Sequence, residues 1–280
     1  MLQDYRLLTD DQLEGLEKQT LRMIVQAVQE YSKEAREIFQ STPISGKKKQ
    51  METELIVLAE DLVQYALEVA ECYPINKRFA GFIDYKRVRW MPTPHGLIPQ
   101  ALLVDAKAST EDWRANLQQS QLPMAADFTI VRGKRKGQLV HMEPVLPAHL
   151  PITAMSGNDL LAVTTTAFIQ FHYKSLTSNS SPYRTLHAMY ILLVPHRKLK
   201  PRYNPNATTS FFGEGKHSPS REEEPRIRVY FNRLIAMCPW RVQTLKYTAP
   251  GEYTEPLWRD AQAGVQGLVP VQLPFEFIGR

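Results

Sequence analysis

Near Pro74 the periodicity of the apolar residues changes, and with it the kind of structure the chain can form. Before that point apolar side chains recur at the three- and four-residue spacing of one helix face. After it they come in short runs rich in Val, Ile, Thr and aromatic residues, many ending in charge, which is the pattern of strands. Such a chain must lay helices against a sheet. An α/β or α+β arrangement is predicted, a mixed sheet flanked by helices.

Local signals divide the chain further. Thr9 followed by Gln12 makes a capping box, and Leu13, Leu16, Ile24, Val28, Tyr31 and Ile38 extend one helix to about Gln40. Residues 41–50 (STPISGKKKQ) read as a loop. Leu55, Ala59, Leu62, Ala66 and Val69 form the apolar stripe of a second helix, which Pro74 ends. FAGFID (79–84) and 97–108 read as neighbouring strands joined through a turn over 89–96. Ser109 with Asp112 repeats the capping-box spacing and predicts a helix through about Gln119, with Arg114 in its first turns. Residues 129–142 read as a hairpin with a basic, glycine-containing turn, and 144–151 as a proline-rich connector. Strands follow at 160–173, 186–194 and 226–231. Between the last two, 198–225 has no periodicity, as in a functional loop.

Composition removes several classes. Cys72 and Cys238 are the only cysteines, too few for a disulfide framework or a cysteine-rich zinc site, which fits a reducing cytoplasm. The N-terminal residues lack a signal-like apolar core, and no apolar run is long enough for a bilayer. The formal charge is +5, but it is unevenly placed: residues 196–246 hold 11 Lys and Arg against 4 Asp and Glu, and the rest of the chain holds 23 against 25. That concentration suits a phosphate-binding surface, although a solvated basic face would have the same composition.

The chemistry-bearing segment is FAGFIDYKRVRWMPTPHGLIPQALLVDAKA. Asp105 and Lys107 stand at i and i+2 of a strand and so project to one side. If the strand ending at Asp84 is its neighbour, three charged groups converge. Two carboxylates brought together repel unless a hard cation such as Mg²⁺ lies between them. An adjacent Lys can orient a water and stabilise charge on a phosphoryl group. Three acid-x-Lys triplets occur, not far above the number composition alone would give; one, Asp84-Tyr-Lys86, begins at the other strand-end carboxylate, and context has to separate the remaining two. Asp105-Ala-Lys107 follows a strand interior, whereas Glu214-Gly-Lys216 lies in FFGEGKHSP with no strand predicted before it. Other motifs fail: FFGEGKHS lacks phosphate-loop spacing, and neither H-E-x-x-H nor G-x-S-x-G is present.

The Asp84 and Asp105-Ala-Lys107 pattern resembles the PD-(D/E)xK nuclease superfamily. More narrowly, LEKQTLRMIVQA, VLAEDLVQYALEVAECYPINKRFAGFIDYKRVRW, LLVDAKAST, KLKPRYNPN, SFFGEGKHSP and RIRVYF resemble the SfiI-like type II restriction endonucleases. Residues 41–53, 129–158 and 261–280 match poorly, and Ile83 stands where the generic motif has Pro. The resemblance implies one restriction-endonuclease domain over 1–280. Within it, 1–75 would be a helical layer, 76–195 the catalytic sheet, 196–246 the DNA-recognition region and 247–280 a tail. It implies that Asp84 and Asp105 bind Mg²⁺ with the Ala106 carbonyl, that Lys107 is the catalytic amine, and that a helix Glu can join them. Glu60 is the best placed, with Glu54 and Glu71 as competitors.

For DNA, Arg226 and Arg228 share one strand face and suit guanine O6 and N7, with Lys216 in reach of the same groove. Arg202, Asn204 and Arg221 are further candidates, and Arg114 would lie near the cleavage centre. The resemblance implies double-stranded DNA as substrate, two GGCC half-sites separated by five unspecified base pairs, and 5′-phosphate ends. It also implies a tetramer holding two DNA sites, and a restriction role requires a companion DNA methyltransferase. A repair or recombination nuclease and a non-catalytic DNA-binding regulator are the competing readings.

Overall fold

A computed structural model describes residues 4–41, 48–69, 72–74, 85–93, 96–131, 135–153, 159–176, 183–215, 226–249, 252–254, 257–259 and 268–270. Helix α1 (Asp10–Glu30) begins at the predicted capping box: Thr9 Oγ1 accepts from the Gln12 amide at 3.2 Å, and Gln12 Oε1 accepts from the Thr9 amide at 2.9 Å. The single helix expected to Gln40 is two. The chain breaks at Tyr31 and resumes as α2 (Ser32–Ser41). Ser32 accounts for the break, because its hydroxyl donates to the Gln29 carbonyl at 2.6 Å and its own carbonyl accepts from the Tyr247 hydroxyl. Helix α3 (Lys48–Val69) starts within the stretch expected to be loop.

Among the described residues the strands form an eight-stranded sheet, a three-stranded sheet and two two-stranded pairs, β5 with β6 and β14 with β15. In chain order they are β1 (Tyr73–Pro74), β2 (Tyr85–Thr93), β3 (Gly96–Ser109), β4 (Arg114–Leu117), β5 (Ala126–Thr129), β6 (Leu139–Met142), β7 (His149–Thr153), β8 (Asp159–Leu176), β9 (Tyr183–Val194), β10 (Phe212–Glu214), β11 (Ile227–Tyr230), β12 (Val242–Ala249), β13 (Glu252–Thr254), β14 (Leu257–Arg259) and β15 (Leu268–Pro270). The large sheet runs β1-β2-β3-β8-β9-β12-β13, with β7 also on β8. The pairing of β3 with β8 is parallel and the other pairings are antiparallel, so the sheet is mixed as predicted. β5 and β6 form the predicted hairpin, with Gly137 at φ 87° in its turn, a conformation that Gly adopts without the cost of a Cβ.

β3 lies between β2 and β8, which explains its continuous apolar run: Ile98, Ala101, Leu102, Leu103 and Val104 are all buried. The turn of the β2–β3 hairpin is tighter than expected. Residues 85–93, of which 89–93 fall in the predicted turn, are strand, and Thr93 pairs with Gly96. One hydrophobic core joins Leu13, Ile24 and Val28 of α1, Phe39 of α2, Leu62 and Leu67 of α3, and the inner faces of β3, β8, β9 and β12. Among the described residues no helix is long and apolar enough to cross a membrane.

The predicted helix after Ser109 is absent. Ser109 Oγ accepts from the Glu111 amide at 2.9 Å, a local turn, and the Asp112 carboxylate is taken by the Tyr190 hydroxyl. The chain then turns at Trp113, whose φ is +55°, and enters β4, where Ala115 and Leu117 are buried and alternate with Arg114 and Asn116. β4 pairs with β11, and β11 with β10, to make the small sheet. Tertiary pairing has overridden a local capping signal.

Candidate active site

β3 carries the site. Asp105 and Lys107 project to the same side, as the two-residue period requires, and the Lys107 ammonium pairs with Asp105 Oδ2. Asp105 is 4% exposed. A carboxylate that deeply placed needs partners, and they include Lys107 and Gln121 Nε2, which donates to Oδ1 at 2.7 Å. Gln121 is itself held, since its Oε1 accepts from the Gln118 amide at 2.9 Å.

A cavity of about 360 Å³ opens over this strand. Glu60 of α3, Asp105, Ala106, Lys107, Glu111, Arg114, Asn116, Gln121, Gln170 and Arg226 all line it. The helix Glu chosen from sequence therefore faces the same space as Asp105. Asp84, Glu54, Glu71, Lys216 and Arg221 lie outside the described residues or the described side chains. Tyr85, which follows Asp84, is paired with Val104, which precedes Asp105. Among the described residues no three His, Cys, Asp or Glu side chains form a metal-holding cluster. Among the described residues the carboxylates on the cavity wall are those of Glu60, Asp105 and Glu111, with the Ala106 main chain beside them and no thiol or imidazole. An all-oxygen set of this kind fits Mg²⁺, which takes one or two carboxylates and keeps the rest of its shell as water.

The predicted DNA-contact residues separate into two groups. Arg226 is exposed at the cavity edge, and Arg228 follows on the same face of β11, alternating with buried Ile227 and Val229. Arg228 is opposite Asn116 of β4, whose Oδ1 accepts from its Nε at 3.3 Å. Arg114 is on the cavity wall, but from a strand rather than the helix expected. The other group does not come to this face. Asn204 is fully buried, and its Nδ2 donates to the Ala125 carbonyl at 3.0 Å, so it cannot reach a base. Arg202 forks onto Asp11 at 2.9 Å and Glu14 at 2.8 Å of α1, which commits it to holding the segment α4 (Lys200–Tyr203) against the N-terminal helix.

The basic excess of 196–246 is correspondingly smaller as a surface than as a count. Lys200 pairs with Asp127 at 2.6 Å, Lys198 donates to the Leu8 carbonyl at 3.1 Å, and Arg241 is fully buried against Glu17 at 2.7 Å. These cations serve the fold. Glu214 also differs from expectation, because it ends β10 rather than lying in a loop. Sequence reasoning passed over Glu111, Gln121 and Gln170. Uncharged or surface-type residues outside any motif carry no local signal, although the Arg-Ala-Asn-Leu alternation at 114–117 was a visible sign of strand.

The family described as Type II restriction enzyme SfiI matches residues 50–245. The type II restriction enzyme SfiI of Streptomyces fimbriatus is 58% identical over 260 residues, covering 93% of this chain and 94% of that protein. The crystal structure of tetrameric restriction endonuclease SfiI bound to cognate DNA superposes with a TM-score of 0.82 at 57% identity, over 94% of this chain and 95% of that one. The restriction endonuclease BglI bound to its DNA recognition sequence shares the fold at a TM-score of 0.62 and 16% identity, over 84% of this chain and 90% of that one. The chain belongs to the SfiI family of type II restriction enzymes.

Proposed function

We propose that the protein hydrolyses double-stranded DNA at the interrupted palindrome GGCCNNNNNGGCC and leaves 5′-phosphate ends. The observation that carries this reading is the Asp105–Lys107 pair at one cavity with Glu60, in a chain of this family. Mg²⁺ would be held by Asp84, Asp105 and the Ala106 carbonyl, with Glu60 as a further ligand, and supplies positive charge beside the scissile phosphate. Asp105 is oriented for this by Gln121. Lys107, a compact cation on a flexible stem, reaches from Asp105 towards the attacked phosphorus. It orients the attacking water and stabilises the negative charge that develops on the phosphoryl oxygens. In-line attack then expels the 3′ oxygen.

Arg226 and Arg228, with Lys216, are assigned to the major groove, and Arg114 to the backbone near the cut; Arg221 is assigned to phosphate. We read residues 1–280 as one catalytic unit, because a single core joins α1 to β12. A palindromic site calls for two-fold symmetry, and the tetramer of the SfiI structure supports four copies holding two sites here. A cytoplasmic location and a companion methyltransferase follow from the same role. The test is to incubate phage DNA with the protein and Mg²⁺ and to sequence the fragment ends. Discrete fragments ending within one interrupted palindrome are expected, and random or structure-dependent ends would refute the reading.

A further inference from the structure

Between Ser109 and Arg114 the chain passes from the catalytic strand to the small sheet, and Glu111 sits in the middle of that passage. Its carboxylate meets Arg228, Arg114 and Asn116. Glu111 Oε2 is 3.5 Å from Arg228 Nη2, 3.6 Å from Arg114 Nε, and accepts from Asn116 Nδ2 at 3.3 Å. Asn116 in turn accepts from Arg228 Nε. Arg228 is therefore held on two sides, by Asn116 through Nε and by Glu111 through Nη2. Glu111 and Arg228 are 16% and 12% exposed, so the charges are screened less than those of a surface pair.

The backbone of Glu111 is fixed as firmly as its side chain. Its carbonyl accepts from Gln170 Nε2 at 2.7 Å. Gln170 lies on β8 directly beside Lys107 in the parallel ladder. The neighbouring residues add two more anchors, the Asp112 carboxylate on Tyr190 and the Trp113 carbonyl, which accepts from the Phe231 amide at 3.0 Å. The segment thus links β8 beside Lys107 to the strand that carries Arg228, and Glu111 touches Gln170 through its carbonyl and Arg228 through its carboxylate.

We propose that Glu111 is a positioning residue that sets Arg228 and Arg114 for DNA and ties their placement to the catalytic strand. This rests on the reading of Arg228 as a base contact and of Asp105 and Lys107 as the cleavage centre. An Arg that must present its planar fork to guanine loses rotamer freedom on binding, and a carboxylate that already holds it reduces that loss. Because the same residue is clamped beside Lys107, a guanidinium drawn to the wrong base would pull on the segment next to the cleavage centre. Glu111 would then raise the discrimination between correct and altered sites more than it raises affinity for DNA in general.

The experiment compares the wild type, Glu111→Gln, Arg228→Ala and the double variant. Binding to duplexes carrying GGCCNNNNNGGCC, or the same site with one base pair changed, is measured with Ca²⁺ in place of Mg²⁺. Cleavage kcat/KM on both duplexes is measured with Mg²⁺. Glu111→Gln keeps the shape and removes the charge. It should lower the ratio of correct to altered site by about tenfold, within the range for coupled neighbours. The double variant should discriminate no worse than Arg228→Ala alone, and Glu111→Asp should restore part of the ratio. A purely structural role would weaken both duplexes equally and leave the ratio unchanged. If Arg228→Ala loses discrimination while Glu111→Gln keeps it, or if the two losses add, the positioning role is overturned and the base-contact reading stands. If Arg228→Ala itself discriminates like the wild type, the base-contact reading falls and the positioning role with it.

Discussion

The Gln121 carboxamide donates to Asp105 Oδ1 at 2.7 Å, so the buried carboxylate of β3 is aimed by a residue from a neighbouring turn. A ligand held in this way keeps its orientation whether or not a cation is present, and partners of this kind typically contribute 10- to 100-fold to metal affinity or activity. Gln121→Ala should shift the Mg²⁺ dependence of cleavage to higher concentration by roughly tenfold. Titration of initial rates with Mg²⁺ measures this, and an unchanged titration would mean that Asp105 is oriented without Gln121.

Arg241 and Glu17 form a pair with no solvent exposure on either side chain. Burial disfavours the guanidinium charge, but Glu17 and Tyr203 outweigh it and raise the Arg241 pKa. Removing Glu17 takes away the nearer carboxylate and leaves the buried Arg241 charge with Glu14 at 3.7 Å. Glu17→Gln should therefore destabilise the fold by about 3 kcal/mol or more. Urea unfolding followed by circular dichroism reads the change, and a loss under about 1 kcal/mol would show that the pair contributes no more than a surface pair does.

His196 gives the stability a defined pH dependence. It is 3% exposed, its Nε2 donates to the Ala148 carbonyl at 2.9 Å, and its Nδ1 accepts from the Lys198 amide at 3.2 Å. Both contacts suit the neutral ring. Burial lowers its pKa below the ordinary value, so the unfolded chain binds a proton at a higher pH than the folded one. Stability contributed by neutral His196 is present above about pH 6.5 and is lost as the pH falls towards the lowered value. The unfolding midpoint should drop between pH 7.5 and pH 5.5, and His196→Gln should flatten that drop. A variant with the wild-type slope would place the pH dependence elsewhere.

Gly215 marks a close approach of two segments of the chain next to Arg226. Its amide donates to the Arg226 carbonyl at 2.9 Å, and a Cβ built on it would lie 2.5 Å from that same oxygen. Gly215→Ala must displace the backbone that carries Arg226. Binding to the interrupted palindrome should weaken by about tenfold, the order of one good base contact, in a gel-shift titration. Wild-type affinity would show that Arg226 tolerates the displacement.

The contrast between two capping boxes shows what could be read in advance. Thr9 and Gln12 close on each other as a capping box at the start of α1. Ser109 and Asp112 have the same spacing, but Tyr190, far along the chain, takes the Asp112 carboxylate, and β11 pairs with the residues that follow. The helix–sheet division, β3 with its Asp105 and Lys107, and the β5–β6 hairpin were legible because each depends on periodicity within one segment. Glu111, Gln121 and Gln170 were not, because their roles exist only once β3, β4, β8 and β11 are side by side. The same limit explains the basic region. Charge counting cannot distinguish Arg228 on the cavity side of β11 from Arg202, which α1 neutralises, or from Arg241 in the core.

The most direct test is cleavage of DNA containing GGCCNNNNNGGCC by Asp105→Ala and Lys107→Ala in the presence of Mg²⁺. Both variants should fold, bind the site, and leave it uncut where the wild type produces two 5′-phosphorylated fragments. Cutting by both variants at the wild-type rate would contradict the account, because the pair on β3 would then have no part in the chemistry.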